Sequence, residues 1–194
     1  EKEDIILTVG RIGNREKNNE MLLEGFALAA SELPSWSLRL VGPVEEGFRQ
    51  FCGQFFERHP DLKDRVILTG PIMDKQRLNE EYRKAKIFAL TSNKEGFPNV
   101  FSEAALLGCN MVVTDIDAAG DMTGDGAFGI TVPIGDADGL ARAFLELCRD
   151  EARMRKSCLE IQAYVRRFFD YDRIVRRLHI LLGNQKPMGE EGRL

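Results

Sequence analysis

Two histidines and four cysteines are all that this 194-residue chain offers a transition metal or a redox couple. His59 and His179 lie far apart, and Cys52, Cys109, Cys148 and Cys158 form no C-x-x-C pair, so zinc-ligand spacing and a thioredoxin-like motif are both absent. Cys109 and Cys148 fall in apolar runs and read as reduced core thiols, which fits a cytoplasmic protein. No apolar stretch approaches the ~20 residues that cross a bilayer, and no secretory leader is recognisable. A basic surplus is missing too. With 27 Lys and Arg against 31 Asp and Glu, the net charge of -4 argues against non-specific binding to nucleic acid or membrane. A bound anion must therefore meet positive charge that is gathered locally.

What is present is the balance of a globular domain, 43% hydrophobic and 30% charged, with length enough for one core. Short apolar runs alternate with helical periodicity, the sign of βαβ units around a parallel sheet. Strands are expected over 5–9, 38–41, 65–69, 87–91, 111–114 and 129–132. The first is apolar on both faces, as a strand between two helix layers must be. Helices are expected over 19–31, through Phe48, Phe51, Phe55 and Phe56, over 74–84 with Asp74 as cap, and over 99–107 with Gly108 as stop. Further helices are expected along Leu140, Phe144 and Leu147, over 152–167 and over 172–182, and 183–194 reads as a frayed tail. The expectation is one Rossmann-like α/β domain over 1–182, with a parallel sheet of about six strands and helices on both faces. The chain opens on Glu1-Lys2-Glu3-Asp4 with no initiator methionine and enters a strand at once, as a processed or excised segment does.

Open α/β sheets bind ligands at the carboxyl ends of their strands, where strand order reverses. After the first strand come Gly10, Arg11 and, further along the loop, Lys17. Two cations near a helix N-terminus suit a diphosphate and would neutralise the charge that develops as a bond to it breaks. Two solvated loop cations are the plainer reading of the same letters. No Gly-x-Gly-x-x-Gly stands after the strand, so NAD and FAD are disfavoured. The acidic cluster of a response regulator and a flavin phosphate loop are missing as well.

After the fourth strand comes Glu95-Gly96-Phe97-Pro98-Asn99-Val100-Phe101-Ser102-Glu103. Glu95 falls in the loop and Glu103 about one turn into the next helix, between apolar positions. A carboxylate there is costly to bury without partners. Ribose or sugar hydroxyls would resolve that cost by donating to it. Gly96 allows close backbone approach, and the N–H groups of Phe97, Asn99 and Val100 are placed to meet a phosphate or sugar. An exposed capping acid is the alternative reading of Glu103.

These strings, with Val9-Gly10-Arg11, Glu24-Gly25-Phe26, Leu40-Val41-Gly42, Leu68-Thr69-Gly70, Glu103-Ala104, Gly108-Cys109-Asn110-Met111-Val112-Val113-Thr114-Asp115, Val132-Pro133-Ile134-Gly135-Asp136 and Phe168-Phe169-Asp170-Tyr171-Asp172, resemble in order the donor domain of the group 1 (family 4) retaining glycosyltransferases of the GT-B fold. The resemblance implies that Arg11 and Lys17 hold the diphosphate of a UDP- or GDP-type sugar and stabilise the leaving group. It implies that Glu95 contacts hydroxyls of the donor sugar, that amides just after it hold sugar or phosphate, and that Glu103 takes the ribose. Pro71 and Ile72 would lie against the base. It implies no cofactor and no metal, because protein cations and helix dipoles supply the positive charge. Retention would come from front-face attack guided by the leaving phosphate. The partners implied are the nucleotide-sugar donor and a glycan or lipid-linked acceptor, reached through an N-terminal domain that this chain lacks, with no nucleic acid. For the full-length enzyme, peripheral contact with the inner membrane is a further expectation.

Two departures bear on the site. Asn18 stands where many relatives have Gly after the lysine, and Ala118-Ala119-Gly120-Asp121 replaces a Gly-Gly preceding an acid. The rival readings are a nucleotide-sugar epimerase of the same fold, for which this half is short of histidine, and a non-catalytic binding module, which has no need of both cations and both acids. Trp36 and the helical phenylalanines read as core, and the charged run 149–156 reads as a solvated helix face.

Overall fold

The computed structural model describes residues 2–96 and 98–169, together with Val175 and Ile180. Six strands, β1 (Glu3–Val9), β2 (Ser37–Val41), β3 (Val66–Gly70), β4 (Ala85–Leu90), β5 (Asn110–Thr114) and β6 (Gly129–Val132), form one sheet in the order β3-β2-β1-β4-β5-β6. Every pairing is parallel. Because strand side chains alternate, Ile6, Leu38, Leu40, Ile87, Ala89 and Val112 enter one apolar layer and Ile5, Leu7, Phe88, Leu90, Met111 and Val113 the other. The first layer is covered by α1 (Asn19–Ala29), α2 (Glu46–Arg58) and α6 (Ala137–Cys148), and the second by α3 (Lys75–Lys84), α4 (Asn99–Leu106), α5 (Ala119–Thr123) and α7 (Glu151–Phe168). This is the three-layer Rossmann-like architecture expected.

Burying a Leu, Ile or Phe side chain contributes about 1.5–3 kcal/mol, and both layers are rich in fully buried ones. The scaffold can thus hold charged and left-handed residues along its rim. Trp36, Phe48 and Phe55 are buried, as read from their spacing. Cys109 is fully buried, and burial pushes its thiol up to about 12, which leaves it inert at neutral pH. The charged run is a solvated face, paired outward in ion pairs such as Arg155 with Glu151.

The strands lie within about two residues of their expected bounds. Two elements were not expected: α5, a single turn built on Ala118-Ala119-Gly120-Asp121, and a 3-10 turn at Pro60–Leu62. Neither is long enough to show a period. The expected helix over 172–182 and the tail over 183–194 lie outside the described residues apart from Val175 and Ile180, both helical. No helix among the described residues is long and apolar enough to cross a membrane.

The chain builds outward from β1 to β3 and then returns to lay β4 on the other side of β1. The loops leaving β1 and β4 therefore diverge to opposite faces, and a crevice opens between them at the carboxyl edge.

Candidate functional site

The floor of that crevice is backbone. Gly10 N–H donates to the Val41 carbonyl at 2.9 Å, and Gly42 N–H to the Gly70 carbonyl at 3.0 Å. A Cβ on Gly42 would stand 1.7 Å from the carbonyl oxygen of Gly10. Only glycine lets β2 end so close beneath the start of the β1–α1 loop. Beyond Gly10 the loop turns at Gly13, whose N–H is held by Asn19 Oδ1 at 2.8 Å. It enters α1 through Asn18 in the left-handed conformation, at φ 46° and ψ 49°. That explains the departure from Gly at this position, since Asn adopts left-handed backbone more readily than other residues with a side chain. Asn18→Val is expected to cost about 1–2 kcal/mol, a fall of roughly 2–8 °C in Tm for a chain of this size. Asn18→Gly should stay within about 0.5 kcal/mol of the native chain; scanning calorimetry of the two variants checks both.

Side chains from the β4–α4 loop stitch the two loops together. Thr91 Oγ1 donates to the carbonyls of Lys17 or Asn18, each at 3.0 Å. Asn93 N–H donates to the Glu16 carbonyl at 2.7 Å, and Asn93 Nδ2 to the Arg15 carbonyl at 3.0 Å. Sequence reasoning missed Thr91, Ser92 and Asn93. The available signal was a polar triplet directly after a strand pointing at the crevice.

The stitching brings Lys17 and Glu95 into direct contact, with side chains only 20% and 16% exposed. Ser92 Oγ donates to the same carboxylate oxygen of Glu95 at 2.8 Å. Arg11 reaches outward, 64% exposed, with Glu16 at 4.0 Å. Gly10, Arg11, Lys17 and Ser92 line one shallow hollow at the switch point between β1 and β4. So both cations predicted for the site line the hollow, and one predicted acid, Glu95, adjoins it through Lys17 and Ser92.

Glu103 belongs to a second cluster on the same rim. Tyr82 Oη donates to its Oε2 at 3.0 Å, and Lys75 Nζ to its Oε1 at 3.3 Å. Its side chain is 31% exposed, so the expected buried carboxylate is instead a half-buried one with a protein donor already in place. Ile72, on the loop from β3 into α3, is half-buried against the second apolar layer, and Met73 beside it is 91% exposed. Asn99 is exposed and opens α4, whose N-cap, Pro98, makes no side-chain cap hydrogen bond, while its carbonyl accepts the Phe101 N–H at 3.0 Å. Val100 packs partly into the second layer. Phe97 lies outside the described residues. Among those described, no hydrogen bond or ion pair joins the two clusters. Four residues along α4 separate Asn99 from Glu103, about 6 Å of helix axis.

A rim of this kind can meet an anion with Arg11, Lys17 and the first turn of α4, and hydroxyl-bearing rings with Glu95 and Glu103. Another cleft, of about 360 Å³, lies at the opposite end of the strands, between Lys2, Lys86, Asn110, Met154 and Cys158. Its cations are committed: Lys2 Nζ donates to the Ala85 carbonyl at 2.6 Å and Lys86 pairs with Asp4. It sits where the strands begin, away from the loops that leave their carboxyl ends.

Fold and site together define a Rossmann-like domain whose topological switch point carries Arg11, Lys17 and Glu95. The chain belongs to the glycosyl transferases group 1, whose family model matches residues 3–150. It is 32% identical over 144 residues to an exopolysaccharide phosphotransferase of Streptomyces coelicolor, covering 72% of this chain and 14% of that protein. It is 28% identical over 187 residues to an N-acetylgalactosamine-N,N'-diacetylbacillosaminyl-diphospho-undecaprenol 4-alpha-N-acetylgalactosaminyltransferase of Campylobacter jejuni, covering 94% of this chain and 47% of that protein. The chain thus spans less than half the length of either relative. Anabaena HepE, solved in complex with UDP, superposes with a TM-score of 0.81 at 22% identity, over 94% of this chain and 49% of that one.

Proposed function

We propose that residues 1–182 are the donor-binding half of a retaining glycosyltransferase that transfers a hexosyl unit from a UDP- or GDP-type sugar to a glycan or lipid-linked acceptor. The observation that carries this reading is the convergence of Arg11, Lys17, Ser92 and Glu95 at the switch point, with Glu103 on the same rim. In this reading the diphosphate lies on Arg11, Lys17 and the amides that open α4, the ribose on Glu103, the donor sugar on Glu95 and the base near Ile72. As the bond from the anomeric carbon to the β-phosphate oxygen breaks, the acceptor oxygen bonds to that carbon from the same face and gives its proton to the leaving phosphate. Arg11 and Lys17 stabilise the charge that gathers there. An N-terminal domain would supply the acceptor site, and the full-length enzyme would meet a lipid-linked acceptor by peripheral contact with the membrane. The undecaprenol-linked substrate in the name of the Campylobacter relative and the UDP bound to HepE support this reading.

Calorimetric titration of the chain with UDP-, GDP- and ADP-sugars tests it. Micromolar to millimolar binding of one base in preference to the others is expected, and no binding by any of them at millimolar concentration sinks the proposal. Product analysis of the full-length enzyme then separates a transferred sugar from an epimerised one.

A further inference from the structure

Tyr82 is the bulkiest of the fully buried side chains, yet it sits on the last turn of α3 beside a charged rim. Its ring is packed near Phe88, with centroids 6.0 Å apart. Its carbonyl accepts from Cys109 Sγ at 3.2 Å and from Lys2 Nζ at 3.3 Å, so the residue is anchored from behind at its backbone. From that anchor one polar atom reaches the site, the hydroxyl that donates to Glu103 Oε2 at 3.0 Å. Among the described residues the other oxygen, Oε1, meets only Lys75, whose side chain is 74% exposed and carries its ammonium on a flexible stem. One side of the carboxylate is therefore fixed by a buried donor, and the other is held by a group that water can replace.

We infer that Tyr82 is a positioning residue for ribose recognition: its hydroxyl locks Glu103 in the rotamer whose outward lone pairs accept the 2′- and 3′-hydroxyls of a nucleoside diphosphate. The inference rests on the reading of Glu103 as the ribose acceptor. An ionised carboxylate has about four acceptor positions, and one bond from Tyr82 leaves the outward ones open while removing the rotational freedom that binding would otherwise have to quench. Burial and the neighbouring Glu103 push the Tyr82 phenol well above its ordinary range, so it remains a donor at any working pH. Lys75 stands where an incoming hydroxyl would donate, and it moves aside into solvent.

The test compares UDP, GDP and ADP with their 2′-deoxy counterparts by calorimetry, on the native chain, on Tyr82→Phe, on Glu103→Gln and on the double variant. Phe keeps the ring and removes one oxygen, so the core stays filled. The native chain should prefer the ribonucleotide by about ten-fold. Tyr82→Phe should compress that preference several-fold while changing the affinity for the deoxynucleotide less than two-fold, and it should have no further effect in the Glu103→Gln background. A ribose preference unchanged in Tyr82→Phe, or an equal loss for both nucleotides, overturns the positioning role and reduces the contact to a structural staple between α3 and α4. A native chain that binds these diphosphates without ribose preference removes Glu103 as the acceptor and this inference with it. A native chain that binds none of them overturns the donor-domain reading itself.

Discussion

Lys17→Met is expected to weaken the binding of a nucleoside diphosphate by about 10- to 150-fold, the equivalent of one charge-assisted hydrogen bond of about 1.5–3 kcal/mol. The loss has two parts. The ammonium no longer meets the phosphate, and Glu95, 16% exposed and in contact with Lys17 before the change, is left as an uncompensated anion beside it. The reverse substitution separates these parts. Glu95→Gln removes a competitor for Lys17 and a source of repulsion, so UDP or GDP without a sugar should bind a few-fold more tightly. The same variant should slow transfer in the full-length enzyme, because an amide accepts hydroxyl hydrogen bonds less strongly than a carboxylate. Opposite signs for Lys17→Met and Glu95→Gln, read by titration against the bare diphosphate, are the signature of a pair that the ligand must open. Equal losses would mean that the two residues form a structural tie and nothing more.

The second large effect is expected at Gly42→Ala. The new Cβ would fall 1.7 Å from the Gly10 carbonyl oxygen, and the backbone at φ 146° is already one that side chains rarely adopt. Both colliding atoms belong to the main chain or are fixed to it, so no rotamer relieves the overlap. The ends of β1 and β2 must part, at a cost of about 2–4 kcal/mol from strain and overpacking and a fall in Tm of roughly 5–15 °C. Because Arg11 is bonded directly to Gly10, the same movement displaces a cation from the proposed phosphate position, and diphosphate affinity should fall at least ten-fold beyond any effect of stability. Gly53→Ala provides the contrast. Gly53 lies in α2 with nothing within 4 Å of its Cβ position, so alanine there should stabilise the chain by about 0.5–1 kcal/mol. Thermal melts of both variants with and without UDP check the pair of expectations.

The alternation of apolar runs and helical periods is enough to place all six strands; the central ones are sealed between two helix layers and their composition shows it, while the edge strands β3 and β6 keep half-buried positions. The loop residues Arg11, Lys17 and Glu95 are legible for a related reason: in a parallel sheet, ligands bind at the loops that leave the carboxyl ends of the strands. Long-range pairing is not carried by the letters. Lys17 and Glu95 lie 78 positions apart, and no local pattern announces that they touch. Thr91 and Asn93 look like ordinary loop polarity, although they hold the backbone of the neighbouring loop. Tyr82 fits a helix that packs on the sheet, and its ring does so; its hydroxyl acquires a role only through Glu103, 21 residues on. The five-residue α5 escapes sequence reading because a single turn containing Gly120 has no period.

The central claim is spatial, that one rim of the sheet grips a diphosphate at its cationic end and a ribose at its acidic end. A crystal structure of the chain soaked with UDP or GDP measures it most directly. The diphosphate should lie against Arg11, Lys17 and the first turn of α4, with Lys17 drawn off Glu95 and the ribose hydroxyls on Glu103. A nucleotide seated instead in the cleft beside Lys86 and Asn110, or bound with its ribose turned away from Glu103, would contradict the account.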